Sequence, residues 1–208
     1  NGNGSCEYYY KFNDRIGKVW YTNQLVRAQG TDKLNIVATT FPQYDWVRQI
    51  LGEKLQDVEL TLLLDDGVDL HSYQPTVTDL VTVSGCDMFI YVGGESDSWV
   101  EDALKNATNE NMTVINLIEL LGEEVLEEET VAGMQSEEHD HEEGEEHSNK
   151  EEKDEHIWLS LKNAVAICGH IAEKLSEIDA ENKDIYKANA DSYIEKLNTL
   201  NKEYTEAV

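Results

Sequence analysis

Four short apolar runs, separated by segments of helical period, limit what this chain can fold into more than any other feature. Leu34-Asn35-Ile36-Val37-Ala38-Thr39-Thr40 is ended by Pro42, and Val58-Glu59-Leu60-Thr61-Leu62-Leu63-Leu64 runs into an acidic loop. Asp87-Met88-Phe89-Ile90-Tyr91-Val92 stops at Gly93-Gly94, and Thr113-Val114-Ile115-Asn116-Leu117 is the fourth. Apolar, β-branched runs of this length suit strands buried on both faces of a parallel sheet. Between them the spacing predicts helices near 44–55, with Trp46, Val47, Ile50 and Leu51 inward, near 76–84 and near 98–106. Parallel neighbours need such crossovers, so the alternation predicts an open α/β fold, a four-stranded parallel sheet flanked by helices.

The second half has a different period. Ser160 suits a helix N-cap, and Ala164, Ile167, Cys168, Ile171 and Leu175 then share one helical face. Farther on, Tyr186, Ala190, Tyr193, Leu197, Leu200 and Tyr204 step by four and three, a seam long for a globular helix. The expected organisation is an unassigned extension over 1–30, an α/β lobe over 31–118 and an acidic, His-rich, disordered loop over 119–155. A returning helix over 156–180 and a long linking helix over 181–208 complete it. The extension, aromatic-rich and slightly basic, is read as either an added hairpin packed on the domain or a disordered leader.

Charge narrows the function classes. The chain of 208 residues carries a net charge of −27, and 119–155 alone holds 17 Asp or Glu against Lys150 and Lys153. Nucleic-acid binding needs basic surface to replace phosphate counterions, and docking on anionic membrane needs the same sign, so both are excluded as expectations. An acidic surface attracts cations instead. No apolar run approaches the length of a membrane span. Cys6, Cys86 and Cys168 form neither a close pair nor CxxC, so no disulfide framework or zinc knuckle is expected, and Cys86 and Cys168 read as small core residues.

Among the six histidines, two stand where chemistry is expected. His71, in "DDGVDLHSYQPT", lies on the loop leaving the carboxyl end of the second strand, the edge at which open α/β sheets bind ligands. His156 ends the acidic segment beside Trp158, just before a helix start, and also follows a strand's carboxyl end. Imidazole is the commonest side-chain ligand for zinc, so the two are metal-ligand candidates that meet on one sheet edge. His170, mid-helix, reads as a filler. Gly93-Gly94 lacks the GxxxxGK[ST] pattern of a phosphate loop, and Ser72 and Ser160 have no triad around them.

The stretches "IVATTFPQYDWVRQI", "DLHSYQPTVTDL", "CDMFIYVGGESDSWVEDAL", "EHIWLSLKNA" and "AENKDIYKANADSYIEKLNTLNKEY" together resemble the substrate-binding proteins of zinc and manganese ABC importers. The matched order covers Lys33 to about Tyr204, and an acidic, His-rich run before the second histidine is typical of the zinc branch. The resemblance implies that His71 and His156 are metal ligands facing an interlobe cleft, and that the long helix is the one joining two lobes. In the family a second lobe supplies a third His and a carboxylate, and that lobe is expected to be absent from this chain. It further implies an extracytoplasmic location, periplasmic or at the cell surface with a lipoprotein anchor as an option. The implied partner is the membrane permease of an importer.

His139, Asp140, His141 and His147 mix imidazole with carboxylate in a segment too polar to pack, and read as an auxiliary, weakly metal-collecting tether. The imidazole-rich chemistry puts Zn2+ ahead of Mn2+. Capture of zinc for a permease, without catalysis, is the leading reading. A stand-alone one-lobe zinc buffer and a metallohydrolase are the alternatives, the latter disfavoured because there is no HExxH. A metal-bridged homodimer, supplying the missing ligands from a second chain, is a further option.

Overall fold

A computed structural model describes residues 6–12, 15–21, 33–65, 67–122 and 154–207. The chain divides into two units, Asn1–Lys33 and Leu34–Val208. In the first, β1 (Cys6–Phe12) and β2 (Arg15–Tyr21) pair antiparallel, with Cys6 opposite Tyr21 and Phe12 opposite Arg15. That is the hairpin form of the two readings of this segment.

The second unit is built on β3 (Leu34–Ala38), β4 (Val58–Leu62), β5 (Met88–Tyr91) and β6 (Thr113–Asn116), all parallel, in the order β4-β3-β5-β6. Each strand is shorter than its apolar run, because the run continues into the loop at its carboxyl end. Pairing nevertheless outlasts β4: Leu63 N–H donates to Ala38 O and Leu64 N–H to Thr39 O, both at 3.0 Å. The central strands explain the unbroken apolar runs. Ile36, Val37 and Ala38 of β3 and Met88, Phe89 and Ile90 of β5 are all buried, as expected of strands covered on both faces. Edge strands β4 and β6 are more open, with only Val58 and Ile115 buried.

Crossovers follow the predicted places with shifted ends. Helix α1 (Phe41–Leu51) begins one turn earlier than its apolar spacing implies, with Pro42 in its first turn, where a missing N–H costs nothing. A 3₁₀ turn, Gly52–Asp57, takes the residues read as its last turn. Helices α2 (Val77–Gly85) and α3 (Trp99–Lys105) lie within a residue of expectation. Helix α4 (Leu117–Leu121), capped by Asn116, whose side chain accepts from Glu119 N–H, stands where the apolar spacing predicts a strand end and the start of a loop. The acidic loop read over 119–155 therefore begins inside a helix. Its interior, 123–153, with His139, Asp140, His141 and His147, lies outside the described residues.

Helices α5 (Leu161–Ile178) and α6 (Lys183–Ala207) close the unit. Ser160 caps α5, and Ala164, Ile167, Cys168, Ile171 and Leu175 are all buried, as the spacing predicts. The seam of α6 is buried only through Leu197. Leu200 is 45% exposed and Tyr204 68%, because α6, at 25 residues, is longer than the 18-residue α5 against which it packs. Among the described residues no helix is long and apolar enough to cross a membrane.

The α5–α6 corner is pinned by a polar contact inside the core. Tyr186 is fully buried and its hydroxyl donates to Asp179 Oδ2 at 2.6 Å, beside Asn182 Nδ2 at 2.7 Å. Burial opposes ionisation of Asp179, but the hydrogen bonds from Tyr186 and Asn182 prevail and hold its carboxyl below the usual range. Tyr186→Phe is expected to lower unfolding stability by about 1–2 kcal/mol at pH 7. A carboxyl with a depressed folded pKa contributes stability above its unfolded value and loses it as pH falls through the folded value. The difference between Tyr186→Phe and the unmodified chain should therefore shrink below about pH 4 in urea unfolding.

Candidate metal centre

The strand order sets where a ligand can enter. From β3 the chain crosses toward β4, and from β5 toward β6, so the connections diverge outside the carboxyl ends of β3 and β5. Such a switch point leaves a crevice between the diverging loops. A cleft of about 560 Å³ opens at this edge, lined by Thr40, Phe41, Val68, His71, His156 and Trp158 among others.

His71 is held by its neighbours in sequence. Leu70 and Tyr73 are buried on either side of it, so the 3₁₀ turn Leu70–Ser72 is clamped at both ends. Asp69 Oδ1 accepts from His71 N–H at 3.0 Å. Tyr73 hydroxyl donates to Asp79 Oδ2 at 2.9 Å, and the same carboxylate takes Thr76 N–H at 2.8 Å at the start of α2. The loop is thus tied to a helix cap while the imidazole, 38% exposed, faces the cleft.

His156 stands at the opposite end of the second unit's sequence. Ile157, buried, anchors the 3₁₀ turn Ile157–Leu159 that leads into α5, and Asn163 Nδ2 donates to Ile157 O. Asp154 Oδ1 takes His156 N–H at 2.8 Å and lies 2.9 Å from His156 Nδ1. An ionised carboxylate only accepts, so Nδ1 donates to it, and in the neutral ring the lone pair is left on Nε2. Trp158 lies against the other side of the ring at 5.3 Å between centroids.

The two imidazoles meet. Their centroids are 5.4 Å apart, with the rings inclined at 52°. Two imidazoles bound tetrahedrally to zinc through nitrogens at 2.0–2.1 Å place their centroids roughly 5.2 Å apart. The ring spacing is close to that of two ligands on one tetrahedral ion. Among the described residues no group of three or more His, Cys, Asp or Glu side chains is gathered to hold a metal.

Residues that the sequence did not single out support the pair. Ser96, after β5, has its Oγ 3.0 Å from His71 Nδ1. Glu155, counted with the solvated acidic run, is buried: its Oε1 accepts from Ser96 N–H at 3.0 Å, and its Oε2 lies 3.7 Å from His71 Nδ1. Gly94, at φ +81°, makes room for it, since a Cβ there would stand 2.2 Å from Glu155 Oε1. Neighbouring Asp97 is buried too, and its Oδ2 accepts from Gly93 N–H at 3.0 Å. Adjacency to His156 and the "GGESDSW" turn were the only signals for these residues, and neither carries a periodicity.

Burial, opposed by the Gly93 N–H and reinforced by nearby Glu155, pushes the Asp97 carboxyl from 3.8 up to about 6. A group whose folded pKa is raised contributes stability below its unfolded pKa and loses it as pH rises through the folded one. Stability should therefore fall between about pH 4 and pH 6 on account of Asp97. In Asp97→Asn that part of the slope should vanish, read from urea midpoints at pH 4.5 and 6.5; an unchanged slope would assign it to another group.

Comparison with known proteins points the same way. The family profile described as "Zinc-uptake complex component A periplasmic" matches residues 36–208. The zinc-binding protein AdcA of Streptococcus pyogenes is 28% identical over 195 residues, 91% of this chain and 36% of that protein. The high-affinity zinc uptake system protein ZnuA of Bacillus subtilis is 31% identical over 173 residues, 83% of this chain and 51% of that protein. Zn(II)-bound AdcA from Streptococcus pneumoniae superposes with a TM-score of 0.64 at 28% identity, over 84% of this chain and 32% of that one. The chain spans between about a third and a half of the length of these relatives.

Proposed function

Because the chain belongs to the family of periplasmic zinc-uptake components, we propose that it captures Zn2+ outside the cytoplasm for delivery to the permease of an ABC importer, as a binding protein and not as an enzyme. His71 and His156 are the proposed zinc ligands. The observation that carries this is the 5.4 Å spacing of the two rings in a cleft at the sheet's switch point. Imidazole nitrogen suits zinc, and softer donors than carboxylate favour it over manganese. The names of the relatives, zinc-binding AdcA and ZnuA, support the same cargo. An extracytoplasmic place agrees with the relative named a zinc-binding lipoprotein, AdcA of Streptococcus pneumoniae, 32% identical over 182 residues.

The segment 123–153 is proposed as a metal-collecting tether through His139, Asp140, His141 and His147, supported by its composition alone. Two imidazoles fill half of a tetrahedral set, and the remaining donors come from water or from groups beyond the pair.

Calorimetric titration of the metal-free chain with Zn2+ at pH 7 tests the reading. One tight event per chain, with Mn2+ binding more weakly, is the expected result. Weak, multiple events only would replace it with a stand-alone zinc buffer, and one zinc per two chains with a metal-bridged homodimer.

A further inference from the structure

We propose that Glu155 is a positioning residue that sets which nitrogen of His71 faces the metal. The inference rests on the reading of His71 as a zinc ligand.

Two groups lie near His71 Nδ1: Ser96 Oγ at 3.0 Å and Glu155 Oε2 at 3.7 Å. The hydroxyl decides nothing by itself, since it can accept from an Nδ1–H or donate to an Nδ1 lone pair. The carboxylate has only acceptor capacity. A bare Nδ1 would turn its lone pair toward a buried negative charge, whereas a protonated Nδ1 turns an N–H dipole toward it. Because Glu155 Oε2 is buried, little water stands between the two groups to screen that difference. Glu155 therefore breaks the tie that Ser96 leaves open, keeping the proton on Nδ1 and the lone pair on Nε2. Outer carboxylates act on metal-binding histidines in this way, fixing the tautomer and raising basicity.

Three observations indicate that Glu155 is held for this task. Its Oε1 is committed to Ser96 N–H at 3.0 Å, which fixes the orientation of the carboxyl group. Among the described residues its buried Oε2 has no hydrogen-bond partner, which is costly unless a neighbouring dipole compensates it. Gly94 is shaped around it, leaving no space for a Cβ. Asp154 plays the corresponding part for His156 by direct contact at 2.9 Å, so both rings have a carboxylate at Nδ1.

Long-range ¹H–¹⁵N correlation spectra of the metal-free full chain, recorded above the titration range of histidine, read the tautomer directly. The unmodified chain is expected to show His71 as the Nδ1–H form. In Glu155→Gln the side-chain oxygen stays on Ser96 N–H, so the amide NH2 faces His71, donates to Nδ1 and moves the proton to Nε2. Glu155→Ala removes the bias and should relax His71 toward the Nε2–H form that free imidazole prefers, while Ser96→Ala should stay Nδ1–H. Zinc affinity should fall about 10- to 100-fold in Glu155→Gln. The His156 signal, held by Asp154, reports that each variant has kept its fold.

His71 remaining Nδ1–H in both Glu155 variants would overturn the proposal, as would a Ser96→Ala shift equal to that of Glu155→Gln. A flipped tautomer with undiminished zinc affinity would overturn its bearing on the metal. Zinc binding that survives His71→Ala would instead overturn the ligand assignment, whatever the tautomer spectra show.

Discussion

His71→Ala is expected to lower zinc affinity by more than about 100-fold, since loss of an outer partner alone costs 10- to 100-fold and a direct ligand costs more. The fold should barely change. The His71 side chain is 38% exposed, and the loop is anchored by buried Leu70 and Tyr73 on either side of it. His156→Ala should give a similar loss of affinity with a slightly larger loss of stability, because the Asp154 contact and the packing on Trp158 go with it. The double variant should be little weaker than either single one, as expected of two ligands of one ion. Competition titration against a chelator of known zinc affinity reads the effect, and an undiminished affinity in either single variant removes that residue from the site.

Gly94→Ala is the substitution expected to damage fold and site together. At φ +81° any side chain costs about 1–2 kcal/mol. The new Cβ would also lie 2.2 Å from Glu155 Oε1 and 2.7 Å from its Cδ and Cγ, so the carboxylate must leave. Its charged hydrogen bond from Ser96 N–H is then lost, about 1.5–3 kcal/mol more. A total of about 2.5–5 kcal/mol is expected in urea unfolding, accompanied by weaker zinc binding. Gly67 separates the two causes. It has φ +80° but nothing within 4 Å of its Cβ position, so Gly67→Ala should show the backbone cost alone. Equal losses at both glycines would mean that Glu155 is not sterically locked.

Much of the scaffold was legible because it depends on local pattern. The apolar runs of β3 and β5 declared strands buried on both faces, and the step of three and four from Ala164 to Leu175 declared the inner face of α5. His71 and His156 stood out because each follows the carboxyl end of a strand, where a parallel sheet opens. Their supporting groups did not. Glu155 has the composition of the acidic run it ends, and only burial distinguishes it from the other acids. Ser96 and Asp97 lie in a turn without periodicity, and their importance comes from residues about sixty positions away. Helix α4 left no readable signal, because five residues span little more than one turn and cannot repeat a periodic pattern.

By itself, the sequence determined the class of fold and singled out two candidate histidines, because hydrophobic period and strand-end position are properties of neighbours along the chain. Only the tertiary structure decided that β4 lies outside β3, that the two rings approach to 5.4 Å, and that a buried carboxylate stands behind one of them. Those facts arise from the closure of segments far apart in sequence against one sheet edge. Proximity of that kind is set by packing, which leaves no periodic trace in the order of residues.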